Sequence, residues 1–134
     1  MIDSMRVEMI LINLISNAIK FSRHDSQVKL KVAVYPTLTE KAVVEVRVTD
    51  SGIGIPDNEL KLLFQPFFRS TEEEPQKIKA GGHGIGLYNC KMLAEFLGGS
   101  ISVVSEKSVG STFILKLVLQ AITSRNSVSS SNLD

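Results

Sequence analysis

The chain has 134 residues, of which 43% are hydrophobic and 22% are charged, so it can build one packed domain. Its net charge of +1 gives no sign of a nucleic-acid partner. A single cysteine, Cys90, excludes an internal disulfide framework, and its helical surroundings predict a small core residue. No apolar run approaches the roughly 18 residues that a membrane span needs. No signal peptide is visible, and we expect this piece to be cytoplasmic, whether or not a longer parent is membrane-anchored.

The first predicted element is a helix over residues 3–21. Apolar residues cover most of its circumference, which is typical of a buried helix. Asn13, Asn17 and Lys20 are spaced by three or four residues, so they share its one polar stripe. An unpaired buried amide costs about 1–3 kcal/mol. The two asparagines must therefore face either a hydrogen-bonding network or a cavity.

The remaining elements follow from alternation, helical spacing and turn residues. In chain order they are an antiparallel hairpin with strands over 28–35 and 44–48, a short helix over 57–64 stopped by Pro66, a long lid-like loop over 65–82, a helix over 84–97, strands over 101–104 and 112–119, and a disordered Ser/Asn-rich tail over 121–134. Because the strands come as adjacent pairs, we expect an α+β domain over residues 1–120. It should be a two-layer sandwich, with about three helices on one face of a mixed, mostly antiparallel sheet.

A glycine-rich turn follows the second predicted strand. Asp50 ends that strand, and Gly52 and Gly54 come directly after it. Glycines let a backbone approach a ligand closely, and a carboxylate at a strand end can accept hydrogen bonds. A plain strand-to-helix turn explains the same residues about equally well.

A second glycine-rich segment opens the helix over 84–97. Backbone N–H groups at a helix start hold anions such as phosphates, which favours a phosphate site at residues 81–87. The dinucleotide pattern G-x-G-x-x-G fails because Leu87 stands where it needs glycine, and the Walker A pattern fails at Leu87 and Tyr88. The alternative is a flexible hinge for a lid.

The asparagine stripe is the third candidate site. Amide oxygens are hard ligands that suit Mg²⁺, which binds through few protein groups plus substrate phosphates. Taken alone, two asparagines on a helix more often form a structural network.

The order of these motifs along the chain resembles the catalytic domain of sensor histidine kinases. These belong to the GHKL superfamily with gyrase-type ATPases and Hsp90 chaperones, which share the Bergerat ATP-binding fold. Residues 13–21 look like the family's N box and residues 50–56 its first glycine box. Phe64, Phe67 and Phe68 with Arg69 look like the F box, residues 82–87 the second glycine box, and residues 110–113 the third. That third box often begins with a further glycine, where this chain has Ser108.

The resemblance implies a role for each matching residue. Asp50 would accept from the exocyclic amine of adenine, with Thr112 supporting that end, and Asn17 would ligate Mg²⁺. Asn13 would orient the phosphate or a metal-bound water. The other expected ATP contacts are Lys20 and Arg69 for phosphate charge, Gly52 and Gly54 against base and ribose, and Gly82, Gly84, Gly86 and Leu87 at the lid hinge and phosphates. Phe64 and Phe67 would pack the lid base against the core.

The resemblance also separates a kinase from an ATPase. The superfamily's ATPases place a water-activating glutamate four residues before the metal-binding asparagine, and here Asn13 stands there. An amide cannot take a proton near neutral pH, so slow hydrolysis is expected. Glu8 and Glu106 are possible substitutes, but Glu8 lies on another face of the helix.

No Ser-His-Glu-like acceptor motif surrounds His24 or His83. The expected activity is therefore binding of Mg-ATP and transfer of the γ-phosphoryl group to a histidine on a separate helical dimerisation domain. A downstream response regulator or receiver domain would follow in the phosphorelay. The chain alone would be inactive in autophosphorylation. The alternatives are a nucleotide-binding regulatory module without transfer, and a fragment of a GHKL ATPase or serine kinase.

Overall fold

A computed structural model describes residues 3–68 and 86–121. Within them it contains three helices and four strands. In chain order these are α1 (Ser4–Phe21), β1 (Lys29–Pro36), β2 (Lys41–Asp50), α2 (Asp57–Leu60), α3 (Gly86–Phe96), β3 (Ser100–Glu106) and β4 (Gly110–Gln120). The predicted helix over 3–21 and the hairpin are confirmed to within a few residues. Residues 122–134 of the predicted tail and most of the predicted lid lie outside the described residues.

The four strands form one antiparallel sheet in the order β1-β2-β4-β3. The central pair, β2 and β4, aligns Val48 with Phe113 and Asp50 with Ser111. Side chains alternate between the two faces of a strand, so these four residues share one face. The apolar face of the sheet therefore runs directly into Asp50 and Ser111 at one end.

Helices α1 and α3 cover that apolar face, with α1 over β2 and α3 over β3 and β4. Asp3 caps α1 by accepting from the backbone N–H of Arg6 at 3.2 Å. At the end of α3, Gly98 adopts a positive φ of 75°. The most buried side chains come from both layers: Ile10 and Leu14 from α1, Cys90 and Ala94 from α3, and Val48 and Leu115 from the sheet. The prediction of Cys90 as a core residue is confirmed.

The α+β two-layer prediction is confirmed, with every described strand pair antiparallel. One local prediction, the length of the second helix, differs from the structure. Helix α2 is a single turn over Asp57–Leu60, shorter than the predicted 57–64. Leu30, Val32 and Val34 point to the helix-covered side but remain 54–61% exposed. The reason is that β1 is the edge strand, while α1 packs over β2.

Among the described helices, none combines the length and the apolar character that crossing a bilayer would require.

Candidate functional site

Asp50 is a buried carboxylate at the end of a central strand. Only 5% of the residue is exposed, and its Oδ1 accepts from the backbone N–H of Gly52 at 2.8 Å. Burial raises the pKa of Asp50, and the backbone N–H groups of Gly52 and Ser111 act in the opposite direction. Within the described part of the chain, these backbone groups alone oppose the effect of burial on the pKa. A carboxylate whose partners are backbone N–H groups is suited to accept a further hydrogen bond from a neutral donor group.

The glycines after Asp50 are required by close backbone contacts. A Cβ on Gly52 would lie 2.1 Å from the carbonyl oxygen of Phe21 at the end of α1. A Cβ on Gly54, whose φ is +69°, would lie 2.0 Å from the carbonyl oxygen of Glu106. The turn is therefore pressed between α1 and the β3–β4 turn, and a side chain at either glycine would push these elements apart.

The β3–β4 turn is joined to the same loop by hydrogen bonds. Ser105 Oγ accepts from the backbone N–H of Ile55 at 2.8 Å and lies 2.7 Å from Ser111 Oγ. The backbone N–H of Ser108 donates to the carbonyl oxygen of Ile53 at 2.7 Å. Ser108 has a φ of 68°, a conformation that glycine adopts more easily. Ser108 therefore adopts the left-handed conformation that a glycine would favour at this position. The hydrogen bonds of this turn hold the loop that follows Asp50.

The asparagine stripe faces the start of α3. A Cβ on Gly86 would lie 2.4 Å from Asn13 Oδ1, so the first residue of α3 is in contact with the Asn13 amide. Farther along the same interface, Cys90 Sγ lies 3.9 Å from the carbonyl oxygen of Ile10. This packing brings the Asn13 amide oxygen to the first described turn of α3. That combination suits phosphate and a hard cation.

The structure brings several of the predicted site residues together in two clusters. Asp50, Gly52 and Gly54 lie together at the end of β2, while Asn13 and Gly86 meet at the α1–α3 interface, with Asn17 one turn along α1. Leu87 is half-buried and packs against the core, and the Lys20 ammonium lies 4.8 Å from the centroid of the Phe21 ring. Arg69, Gly82 and Gly84 lie outside the described residues.

Thr112 is not brought to this site. Its hydroxyl lies 3.0 Å from that of Thr49, on the face of the sheet away from the helices. Ser111, whose role the sequence reasoning missed, is the buried neighbour of Asp50 across the β2–β4 pair. The signal was present in the strand's alternation: Phe113, Leu115 and Leu117 point to the core, so Ser111 shares their face and Thr112 does not.

The predicted packing of the phenylalanines holds in part. Phe64 packs edge-to-face on Phe113, with ring centroids 6.4 Å apart. Phe67 is 72% exposed and has a φ of 64°, so in the structure it does not pack against the core. Phe68 packs there instead. The turn that places Phe67 in a left-handed conformation directs its ring away and the next residue inward.

The chain matches a family model over residues 2–121, and that model describes histidine kinase-, DNA gyrase B- and HSP90-like ATPases. The match covers both halves of the site. The chain belongs to this family, as a sensor histidine kinase ATP-binding domain. The expectation drawn from the order of the motifs is thereby confirmed.

Curated relatives agree with the family match. Histidine kinase 5 of Arabidopsis thaliana is 40% identical over 132 residues, covering 83% of this chain and 14% of the relative. The aerobic respiration control sensor protein ArcB of Escherichia coli is 41% identical over 115 residues, covering 86% of this chain and 14% of the relative. The chain thus spans about one seventh of the length of these relatives.

Solved structures show the same fold. The mycobacterial sensor histidine kinase MprB superposes with a TM-score of 0.72 at 26% identity, covering 90% of this chain and 76% of that one. The catalytic domain of histidine kinase ThkA superposes with a TM-score of 0.66 at 28% identity, covering 90% and 71%. Family and fold together make this chain an ATP-binding module of the kinase type.

Proposed function

We propose that the chain binds Mg-ATP and donates the γ-phosphoryl group to a histidine on a separate helical dimerisation domain in a two-component phosphorelay. The observation that carries this proposal is the contact between Asn13 and Gly86. It places an amide, which cannot act as a base, where α1 meets the start of a helix suited to phosphate. An arrangement of this kind favours transfer to an external nucleophile, where positioning and charge stabilisation dominate.

The base and ribose would lie at the end of β2. Asp50 accepts from the exocyclic amine of adenine, and Gly52 and Gly54 let the turn beside the base pack closely against α1 and the β3–β4 turn. Ser111 takes the supporting place that the sequence assigned to Thr112, because Ser111 lies beside Asp50 and already shares a hydrogen bond with Ser105. The raised pKa of Asp50 supports this role, since the carboxylate gains most from a donor that partly replaces its lost hydration.

The phosphates and Mg²⁺ would lie at the α1–α3 interface. The donor set fits a hard cation that keeps most of its waters: Asn17 supplies an amide oxygen, and Asn13 orients a phosphate or a metal-bound water. Mg²⁺ supplies charge neutralisation to the phosphates when bound. Lys20, Arg69, Gly82 and Gly84 are proposed to hold the phosphates from the lid side. The half-buried Leu87 holds the first turn of α3 against the core.

Slow hydrolysis is part of the proposal. The two glutamates considered as substitute bases are both exposed, Glu8 on α1 and Glu106 at the end of β3. Neither side chain is buried where Asn13 contacts Gly86. A water beside the γ-phosphate would then lack a positioned base. The chain should transfer its phosphoryl group to a better nucleophile far faster than to water.

The acceptor histidine is expected from a partner domain. The side chain of His24 is 95% exposed in the loop after α1, where its Nδ1 lies 3.0 Å from a carboxylate oxygen of Asp25. His24 therefore lies in a loop and not in the amphipathic helix that is expected to carry an acceptor histidine. His83 lies outside the described residues. The partner is proposed to be a helical dimerisation domain of the parent protein, in the cytoplasm, with a response regulator or receiver domain next in the relay.

The direct test is transfer from γ-labelled ATP with Mg²⁺ to the parent's helical dimerisation domain, added as a separate protein. We expect acid-labile label on the partner, none on the chain alone, loss of transfer in Asn17→Ala, and full transfer in His24→Gln. ATP binding without any transfer would instead favour a regulatory nucleotide-binding module. Label on His24 of the isolated chain would contradict the proposal, as would fast, saturable ATP hydrolysis.

A further inference from the structure

The sheet has a second face, which no helix covers in the described part of the chain. Alternation places on it the side chains of all four strands that point away from the helix-covered face of Val46 and Val48. We call this surface the open face. The residues on it that carry charge are Lys29, Lys31, Lys41, Glu45, Arg47, Glu106 and Lys116. Cations outnumber carboxylates five to two on a chain whose net charge is only +1.

Glu45 is buried on this uncovered face, with only 6% of the residue exposed. Its Oε1 lies 2.5 Å from Arg47 Nε, and its Oε2 lies 3.7 Å from the Nζ of Lys116, its partner on β4. The hydrogen bond from Arg47 is the main reason that the pKa of Glu45 is lowered. One carboxylate therefore holds two cations in position, and both of these remain about half exposed.

Lys31 lies directly opposite Arg47 in the β1–β2 pair, on the same face. Like charges in this position repel and destabilise a sheet. Ala33, which lies opposite Glu45, has a small side chain and leaves a depression of about 330 Å³ in this face. The depression is lined by Lys31, Ala33, Tyr35, Glu45 and Arg47. A depression of this size accepts a side chain. Glu45 already offsets the charge of Arg47, so an anion there would act mainly on Lys31, for which the described residues show no ion pair.

We propose that the open face is a docking site for an acidic peptide segment of a partner protein, with one carboxylate side chain entering the depression over Ala33. The cations lie on β1, β2 and β4, which span roughly 10 Å at the usual strand spacing. A single small anion cannot reach all of them, whereas successive carboxylates of one segment can. This site lies on the side of the sheet opposite the helices, so the proposal goes beyond the kinase function and does not depend on it.

The test is fluorescence anisotropy with a fluorescein-labelled dodecapeptide that alternates glutamate and serine, using the full chain. We expect binding that weakens as salt is raised. Lys31→Gln should weaken it about 2- to 5-fold, the range for a partly exposed ion pair. Ala33→Leu fills the depression and should also weaken binding. Lys91→Gln, which removes the same charge from an exposed position on α3, should leave affinity unchanged.

ATP affinity of each variant serves as the check on folding, because the nucleotide site lies on the helix side. Equal effects of Lys31→Gln and Lys91→Gln would overturn the proposal, since binding would then follow net charge alone. So would equal binding of a glutamine-serine peptide, absence of binding at millimolar peptide, or tighter, Lys31-dependent binding of a twelve-base oligothymidylate. Failure of the wild-type protein to bind ATP would overturn the kinase proposal and leave this one standing.

Discussion

Strand β2 carries two buried carboxylates with opposite electrostatics. Glu45 is 6% exposed on the open face, and its pKa is lowered, chiefly by a hydrogen bond from Arg47. Asp50 is 5% exposed on the helix side, and its pKa is raised by burial, while the backbone N–H groups of Gly52 and Ser111 oppose the shift. Similar exposed fractions thus accompany opposite pKa shifts, because Arg47 and Lys116 face Glu45, whereas burial dominates at Asp50.

The two carboxylates differ in which groups of the protein stabilise their charge. Glu45 has both oxygens beside cations of the same protein, so its charge contributes to the folded state without any ligand. Burial makes the charged form of Asp50 less favourable, and a hydrogen-bond donor on a bound ligand would offset that cost. Buried carboxylates whose pKa is raised in this way are found at many functional sites. Asp50 and Glu45 should therefore respond differently to substitution, to nucleotide and to pH.

The largest expected effect is on nucleotide affinity in Asp50→Asn. The substitution removes one charge-assisted hydrogen bond to the adenine amine, worth about 1.5–3 kcal/mol, or about 10- to 150-fold in Kd. Isothermal titration with a non-hydrolysable ATP analogue and Mg²⁺ measures it. Glu45→Gln is the matched control on the same strand and should bind the analogue as tightly as wild type.

Gly86→Ala should weaken nucleotide binding next most. Its new Cβ would lie 2.4 Å from Asn13 Oδ1, so the amide must leave its position. An off-rotamer side chain costs about 0.5–1.5 kcal/mol, or about 2- to 12-fold in Kd. Gly98→Ala is the control, because Gly98 has a φ of +75° and a Cβ there would have no atom within 4 Å. It should cost about 1–2 kcal/mol of stability and leave nucleotide affinity unchanged. Equal affinity in both variants would remove Asn13 from the phosphate site.

The two carboxylates should also give opposite changes in stability with pH. Asp50 has a raised pKa, so the fold loses stability as pH rises from the ordinary aspartate range through the folded pKa. Asp50→Asn escapes this loss and should melt at a higher temperature than wild type at neutral pH, with a difference that shrinks in acid.

Glu45 has a lowered pKa, so its stabilisation is complete above the ordinary glutamate range and disappears as pH falls through the folded value. Glu45→Gln should therefore melt at a lower temperature than wild type at neutral pH, and this difference should vanish in acid. Thermal melts of the three proteins across pH measure both effects. Parallel pH profiles for the two variants would contradict the distinction between the carboxylates.

The smallest expected effect is the reactivity of Cys90. Burial raises the pKa of this thiol to about 12, and only 1% of the residue is exposed. The thiolate is the reactive form, so the folded protein should resist a thiol reagent that labels the denatured chain at once. Rapid labelling of the native protein would show that the α1–α3 interface opens readily.

The sequence predicted the core elements well because their patterns are local. Helix α1, the β1–β2 hairpin and the Asp50 turn each follow from spacing or alternation within a few residues. Tertiary position decides the features that these local patterns do not determine. Nothing local to Leu30, Val32 and Val34 shows that β1 is an edge beyond the reach of α1.

For the candidate site, the motifs predicted Asp50, Asn13, Gly86 and Thr112, and the structure places Ser111 rather than Thr112 beside Asp50. Strand alternation, applied to residues 111–117, would have corrected that choice. The pairing of Glu45 with Arg47 and Lys116 needed the register of three strands, which no short motif contains. The exposure of Phe67 follows from its positive backbone φ, which the sequence does not show. Sequence therefore predicts which chemistry is present better than it predicts which face of the sheet carries it.

The central claim is that Asp50 accepts from the adenine amine, and the ratio of ATP to GTP affinity tests it most directly. Guanine carries a carbonyl oxygen where adenine carries that amine, so a carboxylate should repel it. Titration of both Mg-nucleotides should show a strong preference for ATP in wild type and a much smaller preference in Asp50→Asn, whose amide can donate to the guanine oxygen. An ATP-to-GTP ratio unchanged by Asp50→Asn would contradict the account.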